Sequence, residues 1–183
     1  MFVIRKTVPN DVSEILRLYK EIAATRGGII RVKEEITGDY INKVIQQSLS
    51  SGLGLVITHP DKKAEIIAEI HAYQYGLLAF RHILTDLTIV VHPSFQGQKI
   101  GKLIFEYFLA EVKEKLPHIL RVELFVRENN TKAIQFYEKL GFIEEGRHKN
   151  KIKNRDGLLE TPVEMTWFNP NYNNNDEQPR AQF

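Results

Sequence analysis

Between residues 53 and 91 three strand-like apolar runs succeed one another with no helical stretch between them. That succession limits the folds open to the chain. The runs cover residues 53–58, 65–75 and 81–91, and His59-Pro60-Asp61-Lys62-Lys63 suits a hairpin between the first two. Parallel neighbours need a crossover of about a dozen residues or more, so connections this short imply antiparallel pairing. His92-Pro93 ends the third run, because proline has no N–H to give to a ladder.

Helical spacing governs much of the remainder. Asp11 followed by Glu14 reads as a capping-box-like start, after which Val12, Ile15, Leu16, Tyr19, Ile22 and Ala23 form one buried face. Gly27-Gly28 closes that helix, and a second carries Ile41, Val44, Ile45 and Leu49 up to Gly52. A long helix is expected from about Gly97, with Ile100, Leu103, Ile104, Tyr107, Phe108 and Val112 as its stripe and Pro117 as its stop. Residues 120–126 read as a strand, 131–140 as a helix with Gly141 as its C-cap, and 142–147 and 162–168 as strands around a polar, basic connection. With residues 2–6 as the first strand, the order is β-α-α-β-β-β-α-β-α-β-β. This is an α+β class with a mixed, mostly antiparallel central sheet flanked by helices, not a strictly alternating doubly wound fold.

The chain has 183 residues, and one domain over residues 1–168 is expected. The tail, 169–183, holds five asparagines and two prolines and is expected to be mobile, although Tyr172 and Phe183 could dock. There is no cysteine, which excludes disulfides, thiolate nucleophiles and cysteine-based zinc sites. No His-Glu-x-x-His run or comparable ligand cluster occurs, so no metal is expected. A formal net charge of +2 gives no argument for nucleic acid or a membrane surface as partner. The first residues form no apolar run of signal-peptide length and nothing is long enough to span a bilayer, so a cytoplasmic location is expected.

The stretch most suggestive of chemistry is Val91-His92-Pro93-Ser94-Phe95-Gln96-Gly97-Gln98-Lys99-Ile100-Gly101-Lys102. It joins a buried strand to an amphipathic helix through a glycine-containing turn, and the first amides of such a helix point outward as an anion site. Gly97 and Gly101 lack a Cβ, so a phosphate can approach the main chain. Lys99 and Lys102 in the first turn oppose the helix dipole by ~0.3–1 kcal/mol each when exposed, and a bound pyrophosphate reverses that sign. A P-loop and a dinucleotide fingerprint are both missing.

Together these residues and Asn130-Thr131-Lys132-Ala133-Ile134-Gln135-Phe136-Tyr137-Glu138-Lys139-Leu140-Gly141-Phe142 resemble the two signature regions of the GNAT superfamily of N-acetyltransferases. Gln96-Gly97-Gln98-Lys99-Ile100-Gly101 is similar to that family's acetyl-CoA motif, Gln/Arg-x-x-Gly-x-Gly/Ala, with Lys99 standing where glycine is usual. The element order over residues 2–168 fits as well.

The resemblance implies an acetyl-CoA-dependent N-acetyltransferase. Ile89, Val90 and Val91 are then the strand that pairs with the pantetheine arm, and Gln96, Gly97, Gln98, Lys99, Ile100, Gly101 and Lys102 form the pyrophosphate turn. Asn130 contacts the cofactor near the second helix start, and is also a good N-cap in its own right. Tyr137 lies beside the CoA sulfur as general acid, although its spacing equally suits a core aromatic. Asp86 is the candidate base or water-positioner, with His71, His82 and His92 as alternatives. A main-chain N–H near Val91, freed where the fourth and fifth strands splay, is the expected oxyanion donor.

Without cysteine, direct attack in a ternary complex is favoured over a covalent enzyme intermediate. A small amine or amino acid is the expected acceptor, reached past residues 24–40 and 147–160. A protein N-terminus or lysine is the alternative, a non-catalytic acyl-CoA sensor the rival of another class, and a homodimer is possible at the level of the family.

Overall fold

The computed structural model of the chain describes residues 2–25 and 29–174. Within it the strand-like runs form a seven-stranded sheet of β1 (Val3–Lys6), β2 (Gly52–Thr58), β3 (Ile66–Tyr73), β4 (Ile83–Val91), β5 (Arg121–Arg127), β6 (Ile143–Arg147) and β9 (Pro162–Phe168). Their spatial order is β1-β2-β3-β4-β5-β9-β6. A separate hairpin pairs β7 (Ile152–Lys153) with β8 (Leu159–Glu160). The helices are α1 (Val12–Ala24), α2 (Gly38–Ser51), α3 (Ile100–Lys115) and α4 (Thr131–Lys139). Every strand pair of the large sheet is antiparallel except β4 with β5.

Alternation along the central strands divides the apolar residues between two cores. Leu55 and Ile57 of β2 join Ile104, Phe105, Phe108 and Val112 of α3 on one face. Val56 between them joins Ile15, Leu18, Tyr19 and Ile22 of α1 and Ile41 and Ile45 of α2 on the other. Since both faces are covered, β2 and β3 are buried almost throughout, and their residues read as near-continuous apolar runs.

Three details depart from the expectations above. Asp11 does not cap α1 through its side chain. Its carboxylate instead takes two 2.7 Å hydrogen bonds from the Arg5 guanidinium and one of 2.8 Å from the Val8 amide, fastening β1 to the turn before α1. The third helix begins at Ile100 rather than about Gly97, because Lys99 sits at φ 63° and ψ 10°, outside the helical region. The polar connection before β9 contains the β7–β8 hairpin. At the start of the tail, Asn169 is buried and donates to the Ile119 carbonyl at 3.0 Å, and the Asn173 amide donates to the Pro117 carbonyl at 2.8 Å. Gly27-Gly28 and residues 175–183, Phe183 included, lie outside the described residues.

The end of α4 follows the sequence closely. The Gly141 amide donates to the Glu138 carbonyl and the Phe142 amide to that of Tyr137, each at 3.0 Å, which is the Schellman arrangement. Gly141 holds φ at 92°, where an L side chain is strained. We expect Gly141→Ala to lower stability by ~1–2 kcal/mol, seen as a lower urea midpoint at unchanged slope. An unchanged midpoint would show that the cap contributes nothing.

Candidate functional site

Only Ile83 with Arg121 and Leu84 with Val122 pair β4 to β5. Beyond them β4 stays with β3 and β5 with β9, so the two strands diverge. A bulge sits at the point of divergence. His71 pairs with Thr88 and Tyr73 with Thr85, so three residue steps on β4 face two on β3. Asp86, at φ 54°, takes up the extra residue. Bulges bend and twist the strand that carries them, here at the start of the split.

The divergence leaves a cavity of about 570 Å³ that reaches both faces of the sheet. Tyr19 and Tyr40 line it from the α1–α2 side, Ala133 and Tyr137 from α4, and Asp86, Thr88 and Ile89 from the edge of β4.

That edge has free main-chain groups. The His92 amide donates to the Ile67 carbonyl of β3 at 2.8 Å. Amide direction alternates along a strand, so the N–H groups of Val91 and Ile89 point away from β3 into the split. The Val91 carbonyl, on the same side, accepts from Gln96 Nε2 at 3.1 Å. Val90 and the later Ile100 turn their side chains into the cores, so only their main chain can serve a ligand.

The turn into α3 adds a second set of donors. The first helical bond in this region runs from the Leu103 amide to the Lys99 carbonyl at 3.0 Å. None of the amides from Gly97 to Lys102 donates to a described main-chain or side-chain acceptor. Gly97, at φ 76°, and Lys99 both adopt the left-handed conformation that turns this run of amides outward. Lys102 stands 3.5 Å from Glu106, and Gln98 Nε2 donates to the Ser94 carbonyl at 3.0 Å. The turn lies beyond the cavity, just past the C-terminal end of β4.

Tyr137, Asn130, Asp86 and Ile89 all line the cavity. The Tyr137 ring packs against Phe105 and Phe142 at centroid distances of 5.6 and 5.8 Å, and burial pushes its phenol up to about 12. Asn130 caps α4 by accepting the Ala133 amide at 3.2 Å. Asp86 is exposed at the rim, beside the Tyr73 phenol, which burial first and the Asp86 charge second hold well above its ordinary value.

Of the three alternative histidines, only His71 lines this cavity. His92 accepts from the Ser94 amide at 3.2 Å and meets Glu21 at 3.0 Å, and His82 lines a separate surface hollow with His118 and Tyr172. Ile29, Ile30, Arg31, Glu35 and Tyr40 reach the cavity from the segment before and within α2. No residue of 147–160 lines it; that connection touches the rim through Arg155, which donates to the Arg31 carbonyl at 3.1 Å.

Sequence reasoning did not single out Glu69 or Tyr19. Tyr19 donates to Glu69 Oε2 at 2.6 Å, and His71 Nδ1 lies 3.0 Å from Glu69 Oε1. Two polar residues two apart in an otherwise apolar strand, Glu69 and His71, were the available signal. Among the described residues no group of three or more histidine, aspartate or glutamate side chains is placed to hold a metal.

Residues 52–144, half of the chain, match the acetyltransferase (GNAT) domain family. The chain belongs to the GNAT acetyltransferase family. It is 31% identical over 86 residues to the [ribosomal protein bS18]-alanine N-acetyltransferase of Escherichia coli K12, covering 44% of this chain and 57% of that one. To the N-terminal acetyltransferase B complex catalytic subunit NAA20 of Arabidopsis thaliana it is 38% identical over 55 residues, 30% of this chain and 31% of that one. The chain thus spans little more than half, or less, of these curated relatives.

Among solved structures, the ribosomal-protein-S18-alanine N-acetyltransferase of Escherichia coli superposes with a TM-score of 0.72 at 20% identity over the whole of both chains. The yncA protein of Salmonella typhimurium, solved with its cofactor acetyl-CoA, gives 0.78 at 15% identity over 92% of this chain and 94% of that one. Those likenesses establish a shared GNAT fold.

The residues present suit the family's acyl donor. Six consecutive amides without an internal acceptor match a pyrophosphate, and an unpaired strand edge matches an amide-bearing arm.

The two left-handed positions should respond differently to substitution. Gly97→Ala is expected to cost ~1–2 kcal/mol, since open space surrounds the site and only the backbone is strained. Lys99→Gly relieves a similar strain but loosens the unfolded chain, so its stability should change by less than ~1 kcal/mol. Urea midpoints measured side by side check both, and equal losses would contradict this reading of Lys99.

Proposed function

We propose that the chain transfers an acetyl group from acetyl-CoA to a primary amine by direct attack within a ternary complex. The observation that carries this reading is that the open edge of β4 has a run of unbonded amides just past its end and the Tyr137 phenol on the wall of the split beside it. The amides of Gly97, Gln98, Lys99, Ile100, Gly101 and Lys102 receive the pyrophosphate, with Gln96 orienting the turn through the Val91 carbonyl. Ile89 offers its main-chain N–H to the arm, and Asn130 faces the same channel from the start of α4. Bound acetyl-CoA supplies an acyl carbon activated as a thioester.

The chain's own groups then manage charge and protons. A lysine-type ammonium needs roughly 4.6 kcal/mol to become neutral at pH 7, an α-ammonium only about 1. Asp86 at the rim attracts the cation and holds it, or a water, at the bulge. Once one N–H proton has left, the nitrogen lone pair forms the C–N bond as the carbonyl π pair moves onto oxygen, and the return of that pair breaks the C–S bond and releases the thiolate. The Val91 N–H donates to the carbonyl oxygen while that oxygen bears charge.

Tyr137 serves the sulfur. A phenol at about 12 facing a thiol that titrates near ~8.5 favours the phenol's own protonation by roughly 5 kcal/mol. Net proton loss from Tyr137 is therefore unfavourable. The phenol donates a hydrogen bond to the developing thiolate, passing its proton on only as it takes the second proton of the amide nitrogen.

A cavity of this volume, with Arg31, Glu35 and Asp86 on its wall, favours a small amine or an amino acid as acceptor. The second reading, a protein N-terminus, draws on the relatives named for ribosomal protein bS18 alanine and for N-terminal acetylation. CoA release over a panel of small amines, amino acids and alanine-starting peptides separates the two: turnover of peptides alone would replace the first reading by the second.

Tyr137→Phe is expected to lower kcat by ~10²–10⁴-fold with acetyl-CoA affinity unchanged. Because the phenol keeps its proton up to about pH 12, its contribution should persist through pH 10. Full turnover in the phenylalanine variant would remove Tyr137 from the chemistry, whereas acetyl-CoA binding with no turnover of any amine by the unsubstituted protein would support an acyl-CoA sensor instead.

A further inference from the structure

β3 carries a buried polar cluster at the inner end of the cavity. Glu69 and His71 are each 1% exposed and Tyr19 is fully buried. The Tyr19 hydroxyl donates to Glu69 Oε2 at 2.6 Å, while His71 Nδ1 stands 3.0 Å from Glu69 Oε1 and 3.3 Å from the Tyr19 oxygen. The hydrogen positions follow by elimination. Burial and the Glu69 charge hold the Tyr19 phenol protonated, so its one hydrogen goes to Glu69. Both carboxylate oxygens then act as acceptors, and Nδ1 must supply the hydrogen for the second. Whenever the ring is neutral, its lone pair is therefore on Nε2.

Glu69 does not line the cavity, whereas Tyr19, His71 and Tyr73 do. The ring thus lies between a hidden carboxylate and the acceptor space. Tyr73 stacks on it in parallel at 5.9 Å. The ionisable groups that share the cavity wall with it are Tyr19 from α1, Arg31 and Glu35 before α2, Tyr40 from α2, Tyr73 from β3, Asp86 from β4, Arg127 from β5 and Tyr137 from α4, with Glu69 of β3 behind the ring. A carboxylate behind one nitrogen of a histidine, with the other nitrogen left to the substrate, is an arrangement that orients a base.

We infer that His71, held by Glu69 and Tyr19, is the group that removes the proton from the acceptor ammonium in the acetyl transfer proposed above. One N–H bond of the ammonium breaks, its electron pair stays on the amine nitrogen, and the proton bonds to Nε2. The imidazolium formed is stabilised by the Glu69 carboxylate until Nε2 returns the proton to water. Asp86 at the rim attracts the cation, and His71 further in neutralises it. The inference rests on the acetyltransferase reading and adds the identity of the base.

The test uses the full chain. Long-range ¹H–¹⁵N NMR of the histidine rings should show His71 as the Nδ1–H tautomer at neutral pH, with Glu69→Gln shifting the hydrogen to Nε2. An Nε2–H tautomer in the unsubstituted protein overturns the inference.

In kinetics, His71→Gln should lower kcat at pH 7 by ~10²–10⁴-fold. Acetyl-CoA affinity by calorimetry should stay within about twofold, and the deficit should shrink as pH approaches the amine's own pKa, because the acceptor then arrives neutral. A folded His71→Gln protein with activity within about threefold of the original, or with a deficit independent of pH, overturns the inference and leaves the acetyltransferase reading standing. No acetylation of any amine by the unsubstituted protein overturns both. If the glutamine variant does not fold, the tautomer measurement decides.

Discussion

Two residue pairs, Ile83 with Arg121 and Leu84 with Val122, are all that join β4 to β5. Had that parallel ladder continued, the N–H groups of Ile89 and Val91 would be spent on β5, and the sheet would have no opening. The chain keeps the split stable by giving each strand a full antiparallel partner on its other side, β3 for β4 and β9 for β5. The bulge at Asp86 turns β4 at the place where the ladder stops. The site is thus a consequence of withheld backbone pairing more than of any one side chain.

The same economy applies where β4 hands over to α3. A helix start leaves its first amides unpaired, and here the run is lengthened by two left-handed residues, Gly97 and Lys99, ahead of Ile100. A lysine in that conformation is strained relative to glycine by about 1–2 kcal/mol. Strain held beside a row of free donors suits anion binding, because a bound phosphate compensates both the strain and the lysine's unfavourable place at the positive end of the helix dipole.

Much of this was legible in the sequence. Short connections between the runs at 53–58, 65–75 and 81–91 imply antiparallel neighbours, and the apolar stripe from Ile100 to Val112 locates α3. The Asn130 cap and the Gly141 turn follow from local rules for helix ends. Other features depend on tertiary pairing that no local pattern records. Leu-Thr-Asp-Leu-Thr reads as plain alternation, and the extra residue at Asp86 emerges only against β3. Lys99 hides the true start of α3, since only glycine announces a left-handed position by its identity. Glu69 and His71 are two polar residues in an apolar strand, and only the packing of α1 against it shows that Tyr19 reaches the carboxylate. Asp11 reads as a helix cap, and Arg5, six residues away, takes its carboxylate instead.

The central claim is that the main chain itself, at the open edge of β4 and the turn into α3, holds the acyl donor. A crystal structure of the protein grown with CoA tests it most directly. The account expects the pyrophosphate against the amides of residues 97–102 and the pantetheine arm beside Ile89 and Val91. The nucleotide bound elsewhere, with those amides facing only water, would contradict it.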